Sequence, residues 1–247
     1  NEDMLVSATQ KYMTSNGMVL SNIGDTITIN YSDLTTDKLI DKITDQVSKN
    51  ECSNSKIYVT KITTGYTYKP GLVCDNYISL DTFNLVTNGE FNSSENKWSN
   101  LANATFSIEN ENLKVITLSS GSYSGVSYSI GLPNEGDKIY LRSKVKANAN
   151  AVNMGIYLRG GIAITGNATG IRTGLTDWQT YSTLLTIPTI PTGNVQIAVR
   201  IDYNGDTTGG YIHYIDDVIV INVTSIYGIG NEPTDINIID NLINKSK

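Results

Sequence analysis

Lys138-Ile-Tyr-Leu-Arg-Ser-Lys-Val-Lys146 alternates apolar and polar side chains with a period of two. The same rhythm returns in Met154-Gly-Ile-Tyr-Leu158 and in Val195-Gln-Ile-Ala-Val-Arg-Ile-Asp-Tyr203. Successive side chains of a strand point to opposite faces, so each stretch describes a strand with one face in a core. Working outward, further strands are expected at 105–108, 113–118, 126–130, 179–187 and 211–220, separated by clusters of Gly, Asn, Pro and Asp. Eight or nine short strands with turn residues between them, and no helix of useful length, predict an all-β sandwich with jelly-roll topology.

Upstream of residue 81 the pattern differs. Met4, Leu5, Ala8, Lys11 and Tyr12 recur at three and four residues, a helical stripe that Asn16-Gly17 should stop. Ile27-Thr-Ile29 reads as a strand, and Ser32-Asp33-Leu34 opens a second helix expected to run through Leu39, Ile40 and Ile43. Residues 56–62 alternate again, Thr63-Thr64-Gly65 turns, and 66–69 returns as the second strand of a hairpin ended by Pro70-Gly71. Cys52 and Cys74 flank this hairpin, and a structural disulfide between them would staple its two ends. The expected organisation is an α+β head over 1–80, an all-β sandwich over 81–223, and a tail over 224–247. The tail ends in a short helix with Pro233 in its first turn and Ile236, Ile239 and Ile243 as its buried stripe.

Composition narrows the function. The chain has 247 residues, 39% of them hydrophobic and 17% charged, and contains no apolar run long enough to span a membrane. Its 18 basic against 24 acidic residues, net charge −6, argue against a nucleic-acid partner. One histidine and two cysteines exclude His/Cys zinc sites and any His-based triad that does not run through His213. His213 has no G-x-S-x-G motif to serve and is expected to be a packing or surface residue. Alternation sets Asp216 and Asp217 on opposite faces, so they cannot act as the opposed acids of a glycosidase. No enzyme is expected. Tyrosine outnumbers phenylalanine 15 to 3, which suits half-exposed sheet faces. The chain opens Asn1-Glu2-Asp3 without a basic and apolar leader, as a mature or trimmed extracellular domain would.

Two resemblances follow from these residues. The ordered run of a helix, Cys52, Ile57-Tyr58-Val59-Thr60, Gly65-Tyr66-Thr67-Tyr68-Lys69-Pro70 and Leu72-Val73-Cys74 resembles the globular head of type IV pilin-like proteins of Gram-positive bacteria. That likeness implies other pilin subunits as partners, a cell-surface or pilus location, and membrane contact only through an apolar helix preceding the head. Asn88-Gly89-Glu90-Phe91-Asn92 with Trp98, Asp177-Trp178-Gln179-Thr180-Tyr181 and Tyr214-Ile215-Asp216-Asp217-Val218 stand in the order found in carbohydrate-binding modules of the family 4/9/22 type. This second likeness implies a jelly roll, a structural calcium ion and a sugar-binding face or edge. Asn92 stands where those modules carry Glu.

Candidate sites combine both readings. Calcium takes six to eight oxygens, and Glu90, Asn92, Asp216 and Asp217 are the candidate donors at the first and last strands of the sandwich. Strict alternation groups Ile215, Asp217 and Ile219 on one face, with Tyr214, Asp216, Val218 and Val220 on the other. The same rule turns Tyr140 and Arg142, Tyr157 and Arg159, and Gln196, Arg200 and Asp202 outward. If the three strands share a sheet, as the resemblance implies, these side chains make a ligand face of rings and planar donors. Edge residues Tyr123, Tyr128 and Trp178 are the competing location, with Trp178 read as core. The expected function is a surface adhesin, a minor pilin displaying a glycan- or host-recognising module. A structural pilus subunit whose sandwich makes only protein contacts is one alternative, and a phage tail receptor-binding protein, raised by the tail Gly230-Asn231-Glu232-Pro233, is another.

Overall fold

The computed structural model describes residues 1–93, 97–118, 123–147, 153–163, 176–202 and 210–247, with the backbone alone at 102, 123, 124, 153, 154, 201 and 202. Two units emerge: 1–83 with 233–247, and 84–232. Among the described residues no helix is long and apolar enough to cross a membrane.

The smaller unit starts with α1 (Glu2–Ser15), whose first turn carries Glu2 and Asp3 against the positive end of the helix. It buries Leu5, Ala8, Thr9 and Met13, spaced as one helical face, while Met4 is exposed rather than part of the stripe. Strand β1 (Thr26–Asn30), helix α2 (Tyr31–Thr36), β2 (Lys56–Ile62) and β3 (Gly65–Gly71) follow, and the strands pair antiparallel in the order β1-β2-β3. Helix α2 stops well short of the expected Ile43, because Lys38 takes a left-handed φ of 55° that no helix accommodates. Ile43 reaches the core another way, its N–H donating to the buried Tyr31 hydroxyl at 2.8 Å. Pro70 was expected to end β3 but lies within it; β3 is an edge strand, where a missing N–H breaks no ladder bond. The Cys52–Cys74 disulfide closes the open end of the hairpin. Short helix α3 (Leu80–Phe83) sets Phe83 edge-on to Tyr58.

The larger unit contains β4 (Ser99–Ala102), β5 (Ala104–Glu109), β6 (Asn112–Thr117), β7 (Tyr123–Gly131), β8 (Lys138–Ala147), β9 (Asn153–Gly160), β10 (Gln179–Thr186), β11 (Val195–Asp202), β12 (Ile212–Asn222) and α4 (Val223–Tyr227). A five-stranded sheet, β10-β8-β12-β6-β5, and a four-stranded sheet, β4-β7-β11-β9, are antiparallel throughout. Among the described residues of this unit only β5 and β6 are neighbours both in sequence and in a sheet, so the chain crosses repeatedly between sheets, as in a jelly roll. Leu113, Val115, Ile139, Leu141 and Val145 from one sheet share a core with Val126, Ile156, Leu158, Ile197 and Val199 from the other. Phe91, Trp98 and Tyr128 extend that core as a chain of rings, 6.0 and 5.4 Å between centroids. Tyr128 is therefore a core residue rather than an edge contact, its hydroxyl accepting the Thr87 N–H.

Strand β12 departs from simple alternation. Its register against β8 slips between Asp216 and Ile219, and Asp217 adopts φ 54°. This bulge returns Val218 and Val220 to the core beside Ile215 and turns Ile219 to the other face, correcting the expected grouping. Beyond the bulge the incoming chain takes the edge that β6 has vacated. Asn84 donates its amide to the Val218 carbonyl and accepts the Val220 N–H, and the Leu85 N–H donates to the Val220 carbonyl.

The tail is not a separate unit. Asn222 caps α4 by accepting the Ser225 N–H, and Glu232 accepts from the Thr224 hydroxyl, the Gly230 N–H and Lys138. The Thr224 hydrogen bond, with backbone N–H groups and Lys138, holds the Glu232 carboxyl down to about 2. The Gly-Asn-Glu sequence is thus a tether to the sandwich. Helix α5 (Ile236–Ser246) belongs to the smaller unit. Asp235 is its cap, with Pro233 ahead of the helix rather than in its first turn, and it buries Ile239, Leu242 and Ile243.

Candidate ligand-binding face

One face of the four-stranded sheet lines the core, so alternation places Ser127 and Ser129 of β7, Gln196, Ala198 and Arg200 of β11, and Tyr157 and Arg159 of β9 on the other. Register builds rows: Gln196 lies between Arg159 and Ser129, Ala198 between Tyr157 and Ser127, and Arg200 between Gly155 and Gly125. A Cβ at residue 155 would come within 2.7 Å of the Tyr157 ring, so the bare backbone of Gly155 is what lets that ring lie along β9. The Arg200 guanidinium sits over the ring, 5.2 Å from its centroid. Tyr157 is consequently only 9% exposed. It supports a stacked guanidinium instead of offering the open ring expected from the sequence. Beside it, Arg159 is half-buried and its Nε is screened from solvent without a hydrogen-bond partner. Gln196 is also half-buried. The side chains of Asp202 and Tyr123 lie outside the described residues. Ser129, which is exposed, and Gly155 were not anticipated; a glycine inside an alternating strand is the signal that marks a close approach.

Tyr140 and Arg142 do not join this face. Strand β8 lies between β10 and β12 in the five-stranded sheet, not with β9 and β11. Tyr140 is fully buried and Arg142 is 7% exposed, paired with Ile221 and Ile219 of β12. Period two identified their shared side of β8, but nothing local to that strand specifies its neighbours or what covers it. Trp178, read as core, is instead 37% exposed ahead of β10, and His213 is buried.

The calcium expectation meets a different arrangement. Glu90 and Asn92 are exposed. Their segment runs hard against β12, where Val218 donates to the Gly89 carbonyl and a Cβ at Gly89 would collide with the Val218 carbonyl oxygen. Asp217 is buried with its carboxylate 2.6 Å from the Lys144 ammonium. Lys144 is the register partner of Asp216, so the bulge brings Asp217 toward the side that alternation assigned to its neighbour. A cation at Asp217 would have to displace that ammonium. No group of three His, Cys, Asp or Glu side chains converges as a metal site among the described residues. These residues do not fit the expected ion.

Solved structures similar to this chain include carbohydrate-binding modules. A structure described as Family 16 Carbohydrate Binding Module-2 is 15% identical, with TM-score 0.41, over 56% of this chain and 99% of that one. A family 4 carbohydrate-binding module is 22% identical, with TM-score 0.40, over 55% and 98%. The N-terminal cellulose-binding domain of Cellulomonas fimi β-1,4-glucanase C is 16% identical, with TM-score 0.41, over 53% and 92%. No protein-family model matches the chain, and no curated protein matches it in sequence.

Proposed function

We propose that residues 84–232 form a non-catalytic glycan-recognition module, carried by the smaller unit as a pilin-like head at the bacterial surface. The observation that carries the ligand reading is the row of planar donors on the four-stranded sheet: Arg200 stacked on Tyr157, beside Gln196 and an Arg159 whose Nε has no partner. Adjacent sugar hydroxyls present paired donors and acceptors, which the planar guanidinium and amide groups can engage two at a time. Stacking on Tyr157 fixes the Arg200 plane beforehand and lowers the ordering cost of binding. Support for the head reading is its construction, a helix packed with a three-stranded antiparallel sheet whose hairpin is closed by a disulfide. Many copies on a filament would raise weak single-site binding into useful avidity.

One observation favours the structural-subunit reading: the ring expected to stack on a sugar is closed off by Arg200. A glycan screen of the folded, clustered chain separates the two. Saturable binding to one sugar class, weakened about tenfold by Arg159→Ala or Gln196→Ala with the melting temperature unchanged, is the expected result. A blank screen with folded, clustered protein would make the sandwich a protein-contact domain. Absence of the full-length product from sheared surface filaments would overturn the pilin assignment.

A further inference from the structure

The outer face of the five-stranded sheet carries a cross-strand row that the proposed site does not use. Tyr214 of β12 pairs with Lys146 of β8 on one side and Lys114 of β6 on the other, and Lys114 pairs with Ser107 of β5. Trp178 completes the row, one residue before Gln179, which pairs with Val145. The Lys146 ammonium lies between two rings, 4.8 Å from the centroid of Trp178 and 5.0 Å from that of Tyr214. The other cations nearby are satisfied: Lys114 is paired with Glu109 at 3.0 Å and Lys144 with Asp217 at 2.6 Å. Lys146 makes no ion pair among the described residues, and its ammonium has three N–H donors.

We infer that Trp178, Lys146 and Tyr214 form a second recognition site, on the opposite sheet from the proposed one, for a sugar bearing a single carboxylate. The chemistry selects each part of the ligand. An ammonium with no ion pair among the described residues takes a carboxylate in a charge-assisted hydrogen bond, and its position sets that carboxylate beside the two rings. The indole keeps exposed apolar surface even with the ammonium over its ring, unlike the covered Tyr157, and that surface suits the C–H face of a sugar ring. The net charge of −6 works against polyanions such as nucleic acid and favours a ligand with one isolated charge. This site does not depend on the proposed ligand face, because Arg159, Gln196 and Arg200 lie on the other sheet.

The chain's two tryptophans make the test direct, since Trp98 is 6% exposed in the core and Trp178 is 37% exposed. Acrylamide quenching of the full chain therefore reports mainly on Trp178. The probes are cellobiouronic acid, cellobiose as the same scaffold without the carboxylate, and acetate as the carboxylate without the ring. The expected result is saturable protection of Trp178 by cellobiouronic acid, at least tenfold weaker with cellobiose or acetate. Lys146→Met should weaken protection at least tenfold and Lys146→Arg should retain it, both with wild-type melting temperatures. Arg159→Ala should leave protection unchanged. Equal protection by cellobiose, full protection by acetate alone, no protection by cellobiouronic acid, or retention in Lys146→Met would each overturn the site. Loss in Arg159→Ala would move the response to the four-stranded sheet and overturn it equally. A blank glycan screen at the first face, with protection intact here, would remove only that first reading.

Discussion

His213 lies on β12 two residues before Ile215, on the same face, with Val115 of β6 and Ala147 of β8 as its register partners. Neither ring nitrogen has a hydrogen-bond partner, and burial drives its pKa down to about 3. In the unfolded chain an imidazole titrates near 6.5. As pH falls below that value, the unfolded state takes up a proton that the native state refuses, so stability is lost progressively until about pH 3. The loss between pH 7 and pH 5 should be about 2 kcal/mol, from about 1.4 kcal/mol per pKa unit. Glu232, held down to about 2, acts in a lower window: its stabilisation is present above the ordinary carboxylate value of 4.5 and fades as pH falls toward 2. The interval from pH 7 to 5 thus isolates the histidine. Denaturant titrations at both pH values should show the loss in the wild type and little of it in His213→Leu. That variant should also be at least as stable at pH 7, because it removes two unpaired buried nitrogens. A wild type equally stable at pH 7 and 5 would refute this account.

At the scale of elements, the hairpin β2–β3 and the strand β12 mark what the sequence could and could not disclose. The hairpin was legible because alternation, a Gly turn and flanking cysteines are all local, and each acts within a few residues. Breaking its staple with Cys52→Ser/Cys74→Ser should destabilise the smaller unit by roughly 3 kcal/mol, from the loop entropy returned to the unfolded chain across a separation of 22 residues. Hydrogen exchange in β2 and β3 would record this as lost protection, and unchanged protection there would show that the sheet holds without the bond. The β12 bulge was not legible: the slip falls at Asp217, and Val218-Ile219-Val220-Ile221 after it is apolar at every position and buried on both faces, so no alternation shows the changed phase. Sheet assignment failed for a related reason. The alternation that put Tyr157, Arg159, Gln196 and Arg200 on one face is a property of each strand, whereas the placement of β8 beside β12 depends on long-range pairing. Strand β4 escaped notice because Ser99-Asn100-Leu101-Ala102 has no alternation to read.

For the whole molecule, the sandwich is inserted into the smaller unit: the chain leaves that unit after Phe83 and returns at Pro233. Reading the chain as a head, a module and a tail in series missed this, because the apolar stripe of α5 announces a helix without naming the core it completes. Among the described residues, the sandwich core runs from Val86 to Val220, so a fragment of residues 84–232 should fold cooperatively by itself. The smaller unit has no such independence. Ile239, Leu242 and Ile243 are buried, the Ser246 hydroxyl accepts the Ile78 N–H at 2.8 Å, and Lys245 donates to Asn76. Burying three aliphatic side chains contributes on the order of 5 kcal/mol, comparable with the whole stability of a small domain. A chain ending at Glu232 should therefore keep the sandwich transition in calorimetry while losing protection from proteolysis around 72–79. Adding a synthetic peptide of residues 233–247 in trans should restore that protection, since the contacts it makes are noncovalent. If the truncated chain resists proteolysis at 72–79 as well as the intact one, α5 is dispensable and the smaller unit is complete at Phe83.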